Sequence, residues 1–272
     1  MINMALKNLS DTIFACANCK QCYLSDEVYL PICPSAEKFG FEAYRGSGKA
    51  AIAKGLLEEK INMDESIAKI IYSCPVCGAC GEQCLFRETS RGGFESVKVF
   101  EALREEAVEA GAGPLPAHRR FVESIEENHN PYLEPHDERT SWLKEVTTKI
   151  SSPKPDVIYF VGCTSSHRQR NIAKATFETL TKMDVNFGVM ASDEWCCGSP
   201  ALRVGVRELP KDLAEHNVNA IDKTGAETVV FSCAGCYRTF KQDYSNLVGK
   251  LGFEPLHFTE FLLREINEGN VK

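Results

Sequence analysis

The residues of this chain that can do chemistry are its cysteines. Val161-Gly162-Cys163, Cys196-Cys197-Gly198 and Cys233-Ala234-Gly235-Cys236 carry five thiols, with 32 residues between Cys163 and Cys196 and 35 between Cys197 and Cys233. Thiolates are the soft ligands that iron–sulfur clusters select, and five from three separated turns make a ligand set rather than a pair of bridges. An adjacent Cys-Cys pair also suits core packing poorly, because neighbouring side chains point in different directions on a strand or helix. The plainer alternatives are buried structural cysteines, or a Cys-x-x-Cys redox pair with three unrelated thiols nearby.

Eight further cysteines lie in the first third of the chain. Cys16, Cys19 and Cys22 form one Cys-x-x-Cys-x-x-Cys triplet, followed after ten residues by Cys33-Pro34; Cys74, Cys77 and Cys80 form a second, followed by Cys84. Such triplets wrap three thiolates around three corners of a cubane, and in two-cluster ferredoxins the outlying fourth cysteine serves the other cluster. The expected assignment is therefore Cys16, Cys19, Cys22 and Cys84 for one [4Fe–4S] cluster. Cys74, Cys77, Cys80 and Cys33 would hold the second. Crossed ligation ties distant segments together, so the clusters would also staple the domain. Zinc is the alternative, but zinc modules usually offer paired Cys-x-x-Cys units with one intervening stretch.

The spacing of Cys163, Cys196, Cys197, Cys233 and Cys236 resembles the cysteine-rich CCG domain in the B and D components of heterodisulfide reductase, found also in the C component of anaerobic glycerol-3-phosphate dehydrogenase. That resemblance implies a third centre on these five residues, a non-cubane [4Fe–4S] assembly that works on disulfides or thiols, or zinc as in some relatives. Those reductases carry the motif twice, and here it occurs once. Residues 10 to 110 resemble the α-helical two-cluster ferredoxin domains in the C and D components of heterodisulfide reductase and in the iron–sulfur component of succinate dehydrogenase.

Composition sets the background. The 272 residues suffice for one large domain or two ordinary ones. Hydrophobic residues make up 43% and charged ones 25%, as in a globular protein, and a net charge of −7 argues against a nucleic-acid surface. Thirteen cysteines cannot all pair within one chain. Met1 to Ser10 shows no secretory pattern and no apolar run is long enough to cross a bilayer. The expectation is a cytoplasmic, reducing location, where cysteine-rich motifs are metal-binding or catalytic more often than disulfide-bonded. Membrane contact would come only through a partner subunit.

The elements that must position the thiols follow from periodicity. Lys49–Glu59 has helix-forming composition, Asp64 stands as the cap of a helix through Ile67, Ile70 and Ile71, and Phe94, Val97, Val99, Phe100, Leu103 and Val108 recur at helical spacing between Gly92-Gly93 and Gly111–Pro114. Gly46-Ser47-Gly48-Lys49 looks like the end of a phosphate-binding loop. Ala50 stands where Ser or Thr is required and Ala43 where the first glycine should be, so it reads as a turn that starts a helix.

His118 to Trp142 is polar and turn-rich, and Ser151-Ser152-Pro153-Lys154-Pro155 closes a connector in which His129 and His136 read as solvated loop residues. Beyond it, Val157–Val161, Val185–Met190 and Glu227–Ser232 read as buried strands. Ser166–Met183 and Leu209–Thr224 read as helices, Cys233 as opening another, and Leu256–Leu263 as strand passing into a final helix.

The expected fold is α+β in two domains: residues 1–115 α-helical and cluster-bearing, a connector over 116–155, and an α/β cysteine-rich domain with a mostly parallel sheet over 156–272. Each C-terminal cysteine would then sit just past the end of a strand, where open parallel sheets bind ligands. Helix N-termini there favour anionic sulfur, and Gly162, Gly198 and Gly235 admit a cluster close to the backbone.

Cys196, Cys197 and His167 are the catalytic candidates. His167 would hydrogen-bond a cluster sulfur or protonate a leaving thiolate, against the plainer reading of an exposed histidine at a helix start. Trp195 reads as a packing lid and His257 as structural. The functional expectation is an electron-transfer subunit whose two cubanes feed the third centre for disulfide or thiol redox. Its partner would be an electron-donating or accepting subunit such as a flavoprotein, with a homodimer or second subunit supplying the other half of a substrate site. The alternatives are a non-catalytic relay, or a zinc-binding or redox-sensing assembly factor.

Overall fold

The fold comes from a computed structural model, which describes residues 4–24, 30–86, 93–146 and 154–271. Gly92 and the Ser151-Ser152-Pro153 stretch lie outside the described residues. Two compact units emerge: Met1–Arg119 with Leu202–Arg207, and Arg120–Ala201 with Glu208–Lys272.

The first unit is helical. Helices Gly46–Leu57, Glu65–Tyr72 and Ser96–Glu109 bury Ala50, Ala53, Leu56, Ile71, Val99, Phe100 and Leu103 in one core, and Cys74 and Cys80 belong to it. Apolar residues recurring every three to four positions put one face of each helix inward. The helix expected from Lys49 begins three residues earlier, at Gly46. Asp64 caps its helix as expected, Oδ1 accepting from the Ile67 amide at 2.9 Å. That helix ends at Tyr72, just before Cys74, so its cap fixes where a triplet cysteine starts.

Leu202–Arg207 is a strap within this unit that periodicity does not show. Tyr72 Oη donates to the Val204 carbonyl at 2.9 Å, Arg104 donates to the Arg203 carbonyl, and Arg203 and Arg207 pair with Glu101 and Glu105. At Gly205, with φ of +89°, a Cβ would stand 2.4 Å from the Arg104 carbonyl oxygen, so the close approach admits glycine alone.

The second unit is an α/β layer. Strands β1 (Val157–Phe160), β2 (Phe187–Val189), β3 (Thr228–Phe231) and β4 (Glu254–His257) form one sheet in the order β2-β1-β3-β4, every pair parallel. β1 and β3 are buried on both faces, which is why they read as unbroken apolar runs. Alternate side chains go to opposite layers: Ile158, Phe160, Val229 and Phe231 pack with Ile221, Phe240 and Tyr244, whereas Tyr159, Val161 and Val230 pack with Phe177, Leu180, Phe261 and Trp142. Trp142 comes from the stretch read as a polar connector. That stretch is in fact folded, with a helix at Pro116–Asn128 and a 3-10 segment at His136–Glu145. Among the described residues no helix is long and apolar enough to cross a membrane.

The Asp64 cap gives a direct test of how the second triplet is held. Asp64→Ala should lower stability, read as a lower denaturant midpoint with an unchanged slope in unfolding of the full chain.

Candidate metal centres

In the first unit the turn after helix Glu65–Tyr72 and the start of helix Gly46–Leu57 enclose a small cavity. Cys33, Cys74, Cys77 and Cys80 all line it, together with Lys49 and Phe100. Amide groups already face two of these thiols: the Ala36 N–H donates to Cys33 Sγ and the Val76 N–H to Cys74 Sγ, each at 3.4 Å. Burial pushes the Cys80 thiol up to about 12, and the nearby Cys74, Cys22 and Cys33 sulfurs add to the shift. Four soft donors around one small space fit a cubane, whose ligands stand apart with one on each iron.

Cys22 lies next to this group. A Cβ on Gly46 would come within 3.3 Å of both Cys22 Sγ and Cys80 Sγ, so Gly46 stands between thiols assigned to different centres. Burial raises the Cys22 thiol, and the neighbouring Cys16 and Cys19 act in the same direction. Cys16 and Cys84 pack at the margin of the helical core, whereas Cys19 and Cys77 are exposed.

In the second unit the carboxyl ends of three neighbouring strands deliver the other five thiols. Cys163 follows β1, the Cys196-Cys197 pair follows β2 after a 3-10 turn at Ala191–Asp193, and Cys233 caps helix Ala234–Arg238 directly after β3. The sulfurs neighbour one another in a row, Cys163 beside Cys196, Cys196 beside Cys197, Cys197 beside Cys236 and Cys236 beside Cys233. Hydrogen bonds from Cys196 and Cys236 lower the Cys197 thiol to about 6, and one from Cys236 lowers Cys233 to about 6.

Gly162 has a φ of +78°, and a Cβ there would stand 3.1 Å from Cys236 Sγ, so glycine opens the space beside the chain of sulfurs. Among the described residues no three thiols, imidazoles or carboxylates converge on one point as the ligands of a single ion do.

The helices after Cys163 and Cys236 both contain a single wide π turn, at Thr164–Arg168 and Thr239–Asp243. Such turns are rare and mark functional sites more often than chance. Ser166 Oγ, both ring nitrogens of His167 and Thr239 Oγ1 are buried in them without hydrogen-bond partners. Buried polar atoms are normally satisfied, so these are groups that a bound cluster or ligand would serve. The donor set, the space at Gly162 and the orphaned atoms together fit a cluster.

His167 departs from the exposed reading: it is 8% exposed and lies in the π turn rather than at a helix start. Burial, with the Arg139 and Arg170 charges adding to it, lowers its pKa to about 4. A neutral imidazole can offer an N–H to sulfur, one of the two roles read from the sequence.

The residues that periodicity missed come from the stretch read as a connector and from a long helix. Arg139 and Glu194 form an ion pair of 2.7 Å in which each side chain is 2% exposed. Arg139 also donates to Cys163 Sγ at 3.2 Å and to the His129 carbonyl at 2.9 Å. Glu194 accepts from the amides of Val161 and Gly162 at 2.7 and 2.8 Å, fixing the turn that carries Cys163. Burial alone would lower the Arg139 pKa, but the facing Cys163 and Glu194 outweigh it and hold the guanidinium charged.

His129 is not a solvated loop residue. It stacks on Trp195 at 3.8 Å, Trp195 stacks on His216 at 3.5 Å, and His136 meets His129 edge-on at 5.0 Å. Trp195 is thus the centre of a sandwich beside the cysteine pair. Asn217, wholly buried on helix Glu208–Asp222, accepts from the Trp195 amide and donates to the Cys196 carbonyl. One signal was present in the sequence: Leu213, Asn217 and Ile221 share a helical face, which puts a polar residue in a core position. His257 ends β4 and caps the final helix, in keeping with a structural role.

Two family models match the chain. Residues 9–87 match the family described as a 4Fe-4S dicluster domain, and residues 157–241 match the family described as a cysteine-rich domain. The chain is 38% identical over 206 residues to the D component of dihydromethanophenazine:CoB–CoM heterodisulfide reductase of Methanosarcina mazei, an alignment covering 74% of this chain and 48% of that one. It is 31% identical to the B component of fumarate reductase (CoM/CoB) of Methanothermobacter marburgensis, over 74% of this chain and 38% of that one. It is 27% identical to EtfAB:quinone oxidoreductase of Syntrophomonas wolfei, over 79% and 30%. The chain thus spans about half, or less, of the length of these relatives. No solved structure matches.

The Arg139–Glu194 pair should behave as a buried pair does when broken. Arg139→Met leaves Glu194 buried without its cation and should cost about 3–5 kcal/mol in denaturant unfolding. The same change in a Glu194→Gln background should cost clearly less, a coupling read from the double-mutant cycle.

Proposed function

The chain is a heterodisulfide reductase D-like iron–sulfur protein, a 4Fe–4S dicluster domain followed by one cysteine-rich domain, and on that premise we propose that it is an electron-transferring subunit of an oxidoreductase. The two cubanes are assigned to Cys16, Cys19, Cys22 and Cys84 and to Cys33, Cys74, Cys77 and Cys80. The third centre is assigned to Cys163, Cys196, Cys197, Cys233 and Cys236, as a non-cubane cluster acting on a disulfide or its thiols. Residues 1–115 are taken as the ferredoxin-like domain, 116–155 as the link and 156–272 as the cysteine-rich domain.

The observation that carries this reading is the chain of five sulfurs at the carboxyl edge of a parallel sheet, backed by a buried guanidinium on Cys163. A bound cluster supplies one-electron steps to the two-electron reduction of a disulfide, which also takes up two protons to give two thiols. The protein's own share is geometric and electrostatic. Glu194 and Asn217 fix the two turns that carry Cys163 and Cys196, so the ligand set is preorganised. Gly162 leaves room for the group, and the buried His167 can offer it an N–H.

The motif occurs once in these 272 residues, and a substrate held between two such centres would take its second centre from outside them. A redox partner such as a flavoprotein is proposed on the same footing. The relatives are named as reductases and oxidoreductases, which supports a partner of that kind. Relay to such a partner, without chemistry on a disulfide, is the second reading.

Anaerobic purification followed by counts of iron, acid-labile sulfide and zinc decides the main point. About 12 irons per chain are expected, and Cys197→Ala should lose about one third of them with the cubane signals intact. About eight irons with about one zinc would overturn the third cluster and leave a two-cubane relay.

A further inference from the structure

Gly46-Ser47-Gly48-Lys49 lacks the residues of a phosphate-binding loop, and the structure gives it another task. Lys49 is 1% exposed, so its ammonium cannot reach a phosphate in solvent. It lies inside the first unit, lining the cavity with Cys33, Cys74, Cys77 and Cys80. Its Nζ donates to the Tyr44 carbonyl and stands 5.9 Å from the centre of the Phe100 ring.

The backbone is built to bring it there. A Cβ on Gly48 would stand 2.0 Å from the Glu42 carbonyl oxygen and one on Gly46 would stand 2.9 Å from Cys80 Cβ, so both glycines allow approaches that no other residue permits.

An ammonium taken out of water is destabilising by several kcal/mol unless an anion compensates it. Among the described residues no carboxylate is paired with Lys49; the cavity it enters is lined by the thiols of Cys33, Cys74, Cys77 and Cys80, and the Arg104 guanidinium is the other charge that acts on it. We propose that Lys49 is the built-in countercharge of the Cys33–Cys74–Cys77–Cys80 centre and holds its reduction potential up. This rests on the two-cubane reading above. Four thiolates make a cubane anionic, and reduction adds one electron and one further negative charge. A fixed cation beside the ligands in a low-dielectric interior stabilises the reduced form more than the oxidised one. The potential therefore rises, and it falls when the charge is removed.

The test is a redox titration of the full chain, followed by electron paramagnetic resonance, in wild type, Lys49→Met and Lys49→Arg. Wild type must first show two cubane signals with about eight irons attributable to them; without these the two-cubane reading fails, whatever Lys49 does. Given two signals, Lys49→Met should move one midpoint to more negative potential and leave the other in place. The signal that moves should be the one lost in Cys33→Ser. Lys49→Arg should stay near wild type. Loss of that cluster in Lys49→Met with retention in Lys49→Arg would also support the charge as the cause. Unchanged midpoints in Lys49→Met, a shift in the other cubane, or loss of the cluster in both variants alike would overturn the proposal.

Discussion

A ligating sulfur is negatively charged, and a protein interior does not tolerate uncompensated charge. That constraint organises this molecule more than any single element does. Each group of thiols has a buried or half-buried cation supplied from elsewhere in the chain. Lys54 donates to the Cys16 carbonyl, Arg104 to the Cys74 carbonyl, Lys49 enters the cavity of the second triplet, and Arg139 sits on Cys163 Sγ. The first three come from helices Gly46–Leu57 and Ser96–Glu109, so the helices that make the core also supply the charge. Cations so placed favour ligating sulfur through the same interaction that makes them costly to bury alone.

The second unit meets the constraint with sheet geometry. Parallel strands all end on one side, so β1, β2 and β3 bring their following turns to the same edge, and roughly thirty residues of helix and strand separate one turn from the next. The spacing of the cysteines is therefore the length of a strand–helix repeat. Cys196 and Cys197 sit farther past their strand than the others, after the Ala191–Asp193 turn. That extra length is what lets Glu194 reach back to the Val161 and Gly162 amides.

The strands and helices were legible because their signals are local. Val157–Phe160 and Thr228–Phe231 are apolar without a break because both faces are covered, and Asp64 caps its helix through a bond three residues away. What could not be read was the set of contacts spanning long stretches of chain. Arg139 looked like one more charge in a polar segment, yet its partners lie 24 residues away at Cys163 and 55 away at Glu194. His129 and His136 read as solvated for the same reason, since their partners Trp195 and the Ser192 carbonyl are remote in sequence. The π turns leave no mark in periodicity, because one extra residue in a single turn is within the scatter of any helical pattern. His167 was misplaced as exposed on that account.

Arg139 and Lys49 meet the same constraint in different ways. Arg139 is matched by Glu194, which is equally buried and further held by two amides, so the pair is close to neutral as a unit and its main effect is to fix geometry. Lys49 faces sulfur and a carbonyl, so its charge is not cancelled nearby. A neutral pair orients its neighbours without adding a large field, whereas a cation with no carboxylate partner changes the energy of every charge around it. The fold thus treats the sheet-edge centre as a problem of shape and the second triplet as a problem of potential. The relay proposed above would need both: a fixed ligand frame at its end and a tuned step before it.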